Sequence, residues 1–144
     1  RLEAALTPLL ENGFSTVVGG DLFLDDVRAY REALIESVGA TALFPLWGRD
    51  TTWLAQRFST RGYRAVVTAV DTTQLDSSFV GRTYDDSFLE DLPDAVDPCG
   101  EKGAFHTFVS DGPPFAASVP VAETGRDTTG RIHTVRLRAT GEEA

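Results

Sequence analysis

A chain of 144 residues, 42% hydrophobic and 24% charged, is long enough to bury a core without disulfides or metal. Its formal net charge of −9 argues against nucleic acid or an anionic membrane as a broad-surface partner, although a local pocket can still take a small anion. Cys99 is the single cysteine, which excludes an internal disulfide and a cysteine zinc site. No apolar run approaches the roughly 20 residues that cross a bilayer as a helix, and no signal-peptide pattern opens the chain, so a cytoplasmic protein is expected. The chain opens at Arg1 inside a helical pattern and contains no methionine, which suggests a fragment.

Residues 1–12 carry helical spacing through Leu2, Ala5, Leu6 and Leu9, with Gly13 as a stop. Pro8 either kinks this helix or starts its second part with Thr7 as cap. Residues 14–18 form a short β-branched run that ends at Gly19-Gly20-Asp21. A helix capped by Asp25 or Asp26 follows, with Val27, Tyr30, Leu34 and Val38 on one stripe and Gly39 beyond its end. Residues 41–44 are a short strand, 45–50 a loop, 52–61 a helix ended by Gly62, and 64–70 an almost wholly apolar strand ending at Asp71. Strands alternating with helices imply crossovers and a parallel sheet, with the third strand covered on both faces.

Past Asp71 the pattern changes. Residues 72–84 are polar and turn-rich, 86–92 form a short helix, and 105–109 a strand. Residues 119–122 and 131–139 are candidate strands joined by a turn at 124–130, and Pro120 confines the first of them to an edge. Residues 141–144 read as a tail. The expected architecture is therefore α/β, a parallel sheet over residues 1–71 followed by a smaller α+β region over 72–144.

In open parallel sheets, ligands bind beyond the carboxyl ends of the strands, where loops and helix N-termini converge. That rule selects Gly19-Gly20-Asp21, the loop Pro45–Asp50 with Trp47, Gly48 and Asp50, and Asp71. Glycine permits close backbone approach to a ligand, and an aspartate can hold a hydroxyl, an amine or Mg²⁺. Each has a plainer reading as well: Asp21 and Asp71 as turn residues, Asp50 as a helix N-cap, Trp47 as a packing aromatic. The segment Asp97-Pro98-Cys99-Gly100-Glu101-Lys102-Gly103-Ala104-Phe105-His106-Thr107 carries more chemistry. Gly100 and Gly103, with Glu101 between them, can present successive N–H groups to an anion or carbonyl. His106 and Thr107 follow in a strand, where they face opposite sides unless a bulge intervenes. His106 is a candidate functional residue, His133 a structural one, and Cys99 reads as space-filling rather than nucleophilic.

Together, Val17–Asp21 leading to Asp26–Arg28, then Pro45–Asp50, Asp97–Glu101, Phe105–Phe108 and Asp111-Gly112-Pro113 resemble the diphthine–ammonia ligase family of the adenine-nucleotide α-hydrolase (PP-loop) group, up to about Val121. The resemblance implies a Rossmann-like nucleotide-bearing sheet, with ATP and Mg²⁺ as cofactors. It also implies an AMP-forming amide ligase that adenylates a small carboxylate for attack by ammonia or an amine. On this basis Glu101 and His106 are the expected catalytic residues. Gly20, Asp21, Trp47, Gly48, Asp50, Gly100, Gly103 and Thr107 would bind substrate or nucleotide, with no protein metal ligand assigned. Nucleic acid and membrane are not expected partners, and a homodimer is left open. Three departures matter. The family's Ser-Gly-Gly-Lys-Asp-Ser phosphate loop does not occur in residues 1–144 and is expected upstream; Ala104 replaces a usual glutamate; and His106 is the form of the bacterial-type branch. Ala104 motivates an alternative, a catalytically impaired nucleotide- or metabolite-binding module.

Overall fold

β-Branched runs, aspartate caps and positive-φ glycines punctuate the chain into its elements. The computed structural model describes residues 2–141; the sequence-read tail lies, from residue 142 on, outside the described residues. The chain divides into two compact units, Arg1–Arg49 and Asp50–Ala144. The boundary expected after Asp71 differs from this division, because the strand ending at Asp71 pairs with segments far downstream.

In the first unit, helix α1 (Leu2–Glu11) continues through Pro8, and strand β1 (Thr16–Val18) follows. Helix α2 (Asp25–Ser37) crosses to strand β2 (Thr41–Leu43). The two strands pair in parallel, Thr16 opposite Thr41 and Val18 opposite Leu43. Leu6, Ile35 and Ala40 form the small core, with Leu10, Val17, Val38 and Ala42 packed against it. Two expectations for α2 change. Leu24 is its N-cap and makes no side-chain cap bond, so Asp25 and Asp26 sit in the first turn, where their charge complements the helix dipole. Ile35 is the buried position of the helix and Tyr30 is 67% exposed, so the apolar stripe runs one step away from the tyrosine.

The second unit opens with helix α3 (Thr51–Thr60), capped by Asp50, whose Oδ1 accepts the Trp53 N–H at 2.6 Å. Strand β3 (Arg64–Asp71), a short 3-10 turn at Ser77–Phe79, helix α4 (Asp86–Asp91) and strands β4 (Phe105–Asp111), β5 (Val121–Asp127) and β6 (Ile132–Ala139) follow. Here the structure corrects the expected parallel third strand. β3 lies inside a four-stranded sheet of order β4-β3-β6-β5, antiparallel to both neighbours. An apolar run such as Ala65–Val70 reads the same for a covered parallel strand and for the centre of an antiparallel sheet, so periodicity could not separate the two. β5 lies at a sheet edge, directly after Pro120, as the proline requires.

Phe88 is fully buried at the centre of the aromatic core. Its ring lies 5.6 Å from Phe79 and 5.2 Å from Phe105, both edge-on, and 4.9 Å from Tyr84. Ala55, Val67, Val70, Leu75 and Val135 belong to the same core.

Asp71, 2% exposed, ends β3. Its carboxylate is forked by Arg131, with Nε donating to Oδ1 at 2.9 Å and Nη2 to Oδ2. Gln74 Nε2 (2.9 Å), Thr73 Oγ1 (2.7 Å) and the Thr73 N–H (3.1 Å) also donate to it. The Asp71 N–H bonds the Ala104 carbonyl at 2.9 Å, and the Thr72 N–H and Oγ1 bond the Arg131 carbonyl at 2.9 and 2.8 Å. The sequence reading of Asp71 as a turn residue holds. Arg131 first, then Gln74 and Thr73, hold its pKa far below the ordinary value of 3.8.

Truncating Phe88 to alanine should cost about 3–5 kcal/mol of unfolding free energy by urea titration, and a cost below about 1 kcal/mol would contradict its central place. Because the folded-state pKa of Asp71 is depressed, its stabilisation is present above the unfolded value of 3.8 and is lost as pH falls below it. Asp71→Asn should therefore lower the urea midpoint near neutral pH, and the gap from wild type should narrow between about pH 5 and pH 2. A gap that stays constant with pH would contradict the charged fork.

Candidate functional site

Among the sequence-selected residues, Gly20, Asp21, Trp47 and Gly48 belong to the first unit, and Asp50, Gly100, Glu101, Gly103, His106 and Thr107 to the second. In the first unit the selected residues gather beyond the carboxyl ends of β1 and β2. Asp21 is 6% exposed, its Oδ1 lies 3.1 Å from the Arg31 Nε, and its Oδ2 is buried with no hydrogen-bond partner. A buried acceptor in that state suits a hydroxyl, an amine N–H or a water. Trp47 packs under Arg28, whose guanidinium lies 4.6 Å from the Trp47 ring and 5.1 Å from Phe44. The Gly48 N–H bonds the Leu22 carbonyl at 2.8 Å with φ +71°. The sterically obligatory glycine is Gly19 rather than Gly20: a Cβ at Gly19 would collide with the Phe44 ring and lie 2.8 Å from the Asp21 carboxylate, whereas one at Gly20 meets nothing. The strand-end rule selected both glycines and the site assignment kept only Gly20, because the pair reads symmetrically.

In the second unit, residues 97–103 form two linked turns ahead of β4. The Gly100 N–H bonds the Asp97 carbonyl at 2.9 Å, and the Gly103 N–H bonds the Gly100 carbonyl at 2.8 Å. Gly100 (φ +71°) and Gly103 (φ +76°) adopt left-handed backbone, and a Cβ on Gly100 would press on the Phe105 carbonyl at 2.9 Å. The Asp97 Oδ2 accepts the Glu101 N–H at 2.8 Å. Tyr84, buried in the aromatic core, donates its hydroxyl to the Pro98 carbonyl at 2.7 Å. Cys99 is half-buried, and its Sγ bonds the Thr51 carbonyl at 3.3 Å, joining the turn to the start of α3. Burial first, then the charges of Asp97, Glu101 and Asp50, push the thiol pKa up to about 12. The same burial and charges disfavour the thiolate, the form that attacks as a nucleophile. Asp50 and Glu101, chosen separately from sequence, thus act on the same thiol. Asp97, Tyr84 and Thr51 were not singled out. Asp97, four residues before Glu101, carries the side-chain-to-backbone spacing that could have exposed it; Tyr84 and Thr51 leave no local signal.

His106 and Thr107 follow Phe105 at the start of β4 and are exposed. The register sets His106 opposite Ala69 and Thr107 opposite the buried Val67, with an irregularity between Val67 and Ala69. The extra residue, Thr68, lies on the partner strand and donates its Oγ1 to the His106 carbonyl at 3.2 Å. The bulge therefore belongs to β3, and successive residues of β4 keep opposite faces. Ala104 is 3% exposed within the aromatic core. His133, read as structural, has a buried Nδ1 without a hydrogen-bond partner. Among the described residues no three of His, Cys, Asp or Glu are grouped to hold a metal ion. No helix among them is long and apolar enough to cross a membrane.

A family model described as the diphthamide synthase C-terminal domain matches residues 50–137, more than half of the chain. No curated protein matches it. The match begins at the Asp50 cap, takes in the whole Asp97–Thr107 segment and ends within β6, further along the chain than the sequence resemblance reached.

Placing a carboxylate at residue 104 tests its burial. Ala104→Glu should lower stability by on the order of 3 kcal/mol, because an unpaired acid would enter the aromatic core. A glutamate variant as stable as wild type would show that this position opens to solvent.

Proposed function

The chain belongs to the diphthamide synthase C-terminal-domain family, and on that premise we propose that it serves ATP-dependent amide formation. A carboxylate oxygen of a small substrate attacks the α-phosphorus of ATP and pyrophosphate leaves. Ammonia or an amine then attacks the acyl-adenylate carbonyl, the new C–N bond expels AMP, and the nitrogen gives up a proton. Glu101 or His106 takes that proton, since both are acid–base side chains carried by the matched segment. Gly100 and Gly103 shape the turn that presents Glu101, and Thr107 and Asp50 flank it in sequence and on the α3 cap. In the first unit, the unpartnered Oδ2 of Asp21 would accept a hydroxyl of nucleotide or substrate, with Gly20, Trp47 and Gly48 beside it on the loops after β1 and β2. The nucleotide-bearing region would be Rossmann-like.

The observation that carries this reading is the family match over a loop whose turns are closed around Glu101. Ala104 favours a second reading, a binding module with impaired catalysis, since the buried methyl supplies no acid where the family usually has one. Pyrophosphate release by the complete protein, with ATP, ammonium and a panel of small carboxylates, separates the two. The ligase reading expects substrate-dependent release that Glu101→Gln lowers by about 100-fold. ATP binding without release under any substrate would leave the binding module, and neither binding nor release would end both.

A further inference from the structure

The Glu101 turn is held from three directions. From within, Asp97 accepts the Glu101 N–H on its side chain at 2.8 Å and the Gly100 N–H on its carbonyl at 2.9 Å. From below, the Tyr84 hydroxyl reaches the Pro98 carbonyl at 2.7 Å, and its ring is wedged among Phe58 (5.4 Å), Phe88 (4.9 Å) and Phe105 (6.2 Å). From the side, the Cys99 thiol bonds the first residue of α3. The Tyr84–Pro98 bond is part-buried, so the tyrosine hydroxyl meets a carbonyl that water reaches less freely than an exposed one.

We infer that Asp97 and Tyr84 are positioning residues for Glu101: the aspartate grips the glutamate's own amide, and the tyrosine pins the preceding turn to the aromatic core. The inference rests on Glu101 being a reacting group in the proposed amide synthesis. Holding a reacting carboxylate in one geometry is where such tethers act on rate, since small misplacements of a positioned group slow catalysis strongly.

Cys99 is the one thiol in the chain, so its alkylation by iodoacetamide reports opening of this turn in the full chain without reference to activity. Asp97→Ala and Asp97→Asn remove the same charge beside the thiol, but the asparagine keeps an oxygen for the Glu101 amide. Labelling of the alanine variant should run about tenfold faster than that of the asparagine variant, and Tyr84→Phe should exceed wild type by a similar factor. Tyr84→Phe also serves as the independent variant should Asp97→Ala not fold. In pyrophosphate release, Asp97→Ala should lower kcat about tenfold with KM for ATP little changed, and Asp97→Asn should restore most of it. Equal labelling of the two Asp97 variants, or of Tyr84→Phe and wild type, overturns the tethers. Faster labelling with an unchanged kcat overturns their link to Glu101. Faster labelling beside a wild type that releases no pyrophosphate leaves the tethers standing and removes the ligase reading instead.

Discussion

The buried carboxylate of Asp71 decides where the antiparallel sheet begins. A charge taken out of water is tolerated only when its lone pairs are met, and Arg131, Gln74 and Thr73 meet them at the end of β3. Arg131 directly precedes β6, so the same contact sets where that strand enters. The Asp71 amide bonds the Ala104 carbonyl directly ahead of β4, so a third strand is aligned from the same residue. The turns at residues 97–103 feed straight into that alignment. The position of Glu101 is thereby coupled to an ion pair between residues 60 apart in sequence.

Within the second unit, chemistry and packing share one short stretch. Tyr84 and Phe105 belong to the core, while Pro98, Cys99 and Glu101 ride on them. Burial and three nearby acids suppress ionisation of the thiol. The first unit offers a different kind of group, an aspartate whose second oxygen is buried without a donor. An acid–base residue on a tethered turn and an acceptor at parallel strand ends are the two elements on which an adenylating ligase reading draws.

Element positions were largely legible in the sequence, because caps and stops are local. Asp50 followed by a helical run, and glycines at 13, 39 and 62, mark ends that the structure keeps with φ between +79° and +89° at those glycines. Pro120 announced an edge strand. What was not legible is non-local. The partner and direction of β3 depend on strands whose pairing leaves no trace in its own apolar run, and the Arg131 fork joins segments with no common motif. Gly19 and Gly20 are indistinguishable until Phe44 is seen against one of them. For the site, residues 97–107 stood out through their glycine, acid and histidine content, and the family match covers them. The support beneath it, from Tyr84 and Thr51, comes through space.

The β5 edge bears on how this protein behaves when concentrated. An edge strand presents unpaired N–H and C=O groups to any neighbouring chain. Here Pro120 removes a donor at its start, the pairing slips between Glu123 and Gly125, and Arg126 is drawn aside to Glu123 and the Val80 carbonyl. A strand preceded by a proline and slipped in its middle is a poor template for fibril growth, so this edge of the sheet carries its own guard against self-propagating aggregation.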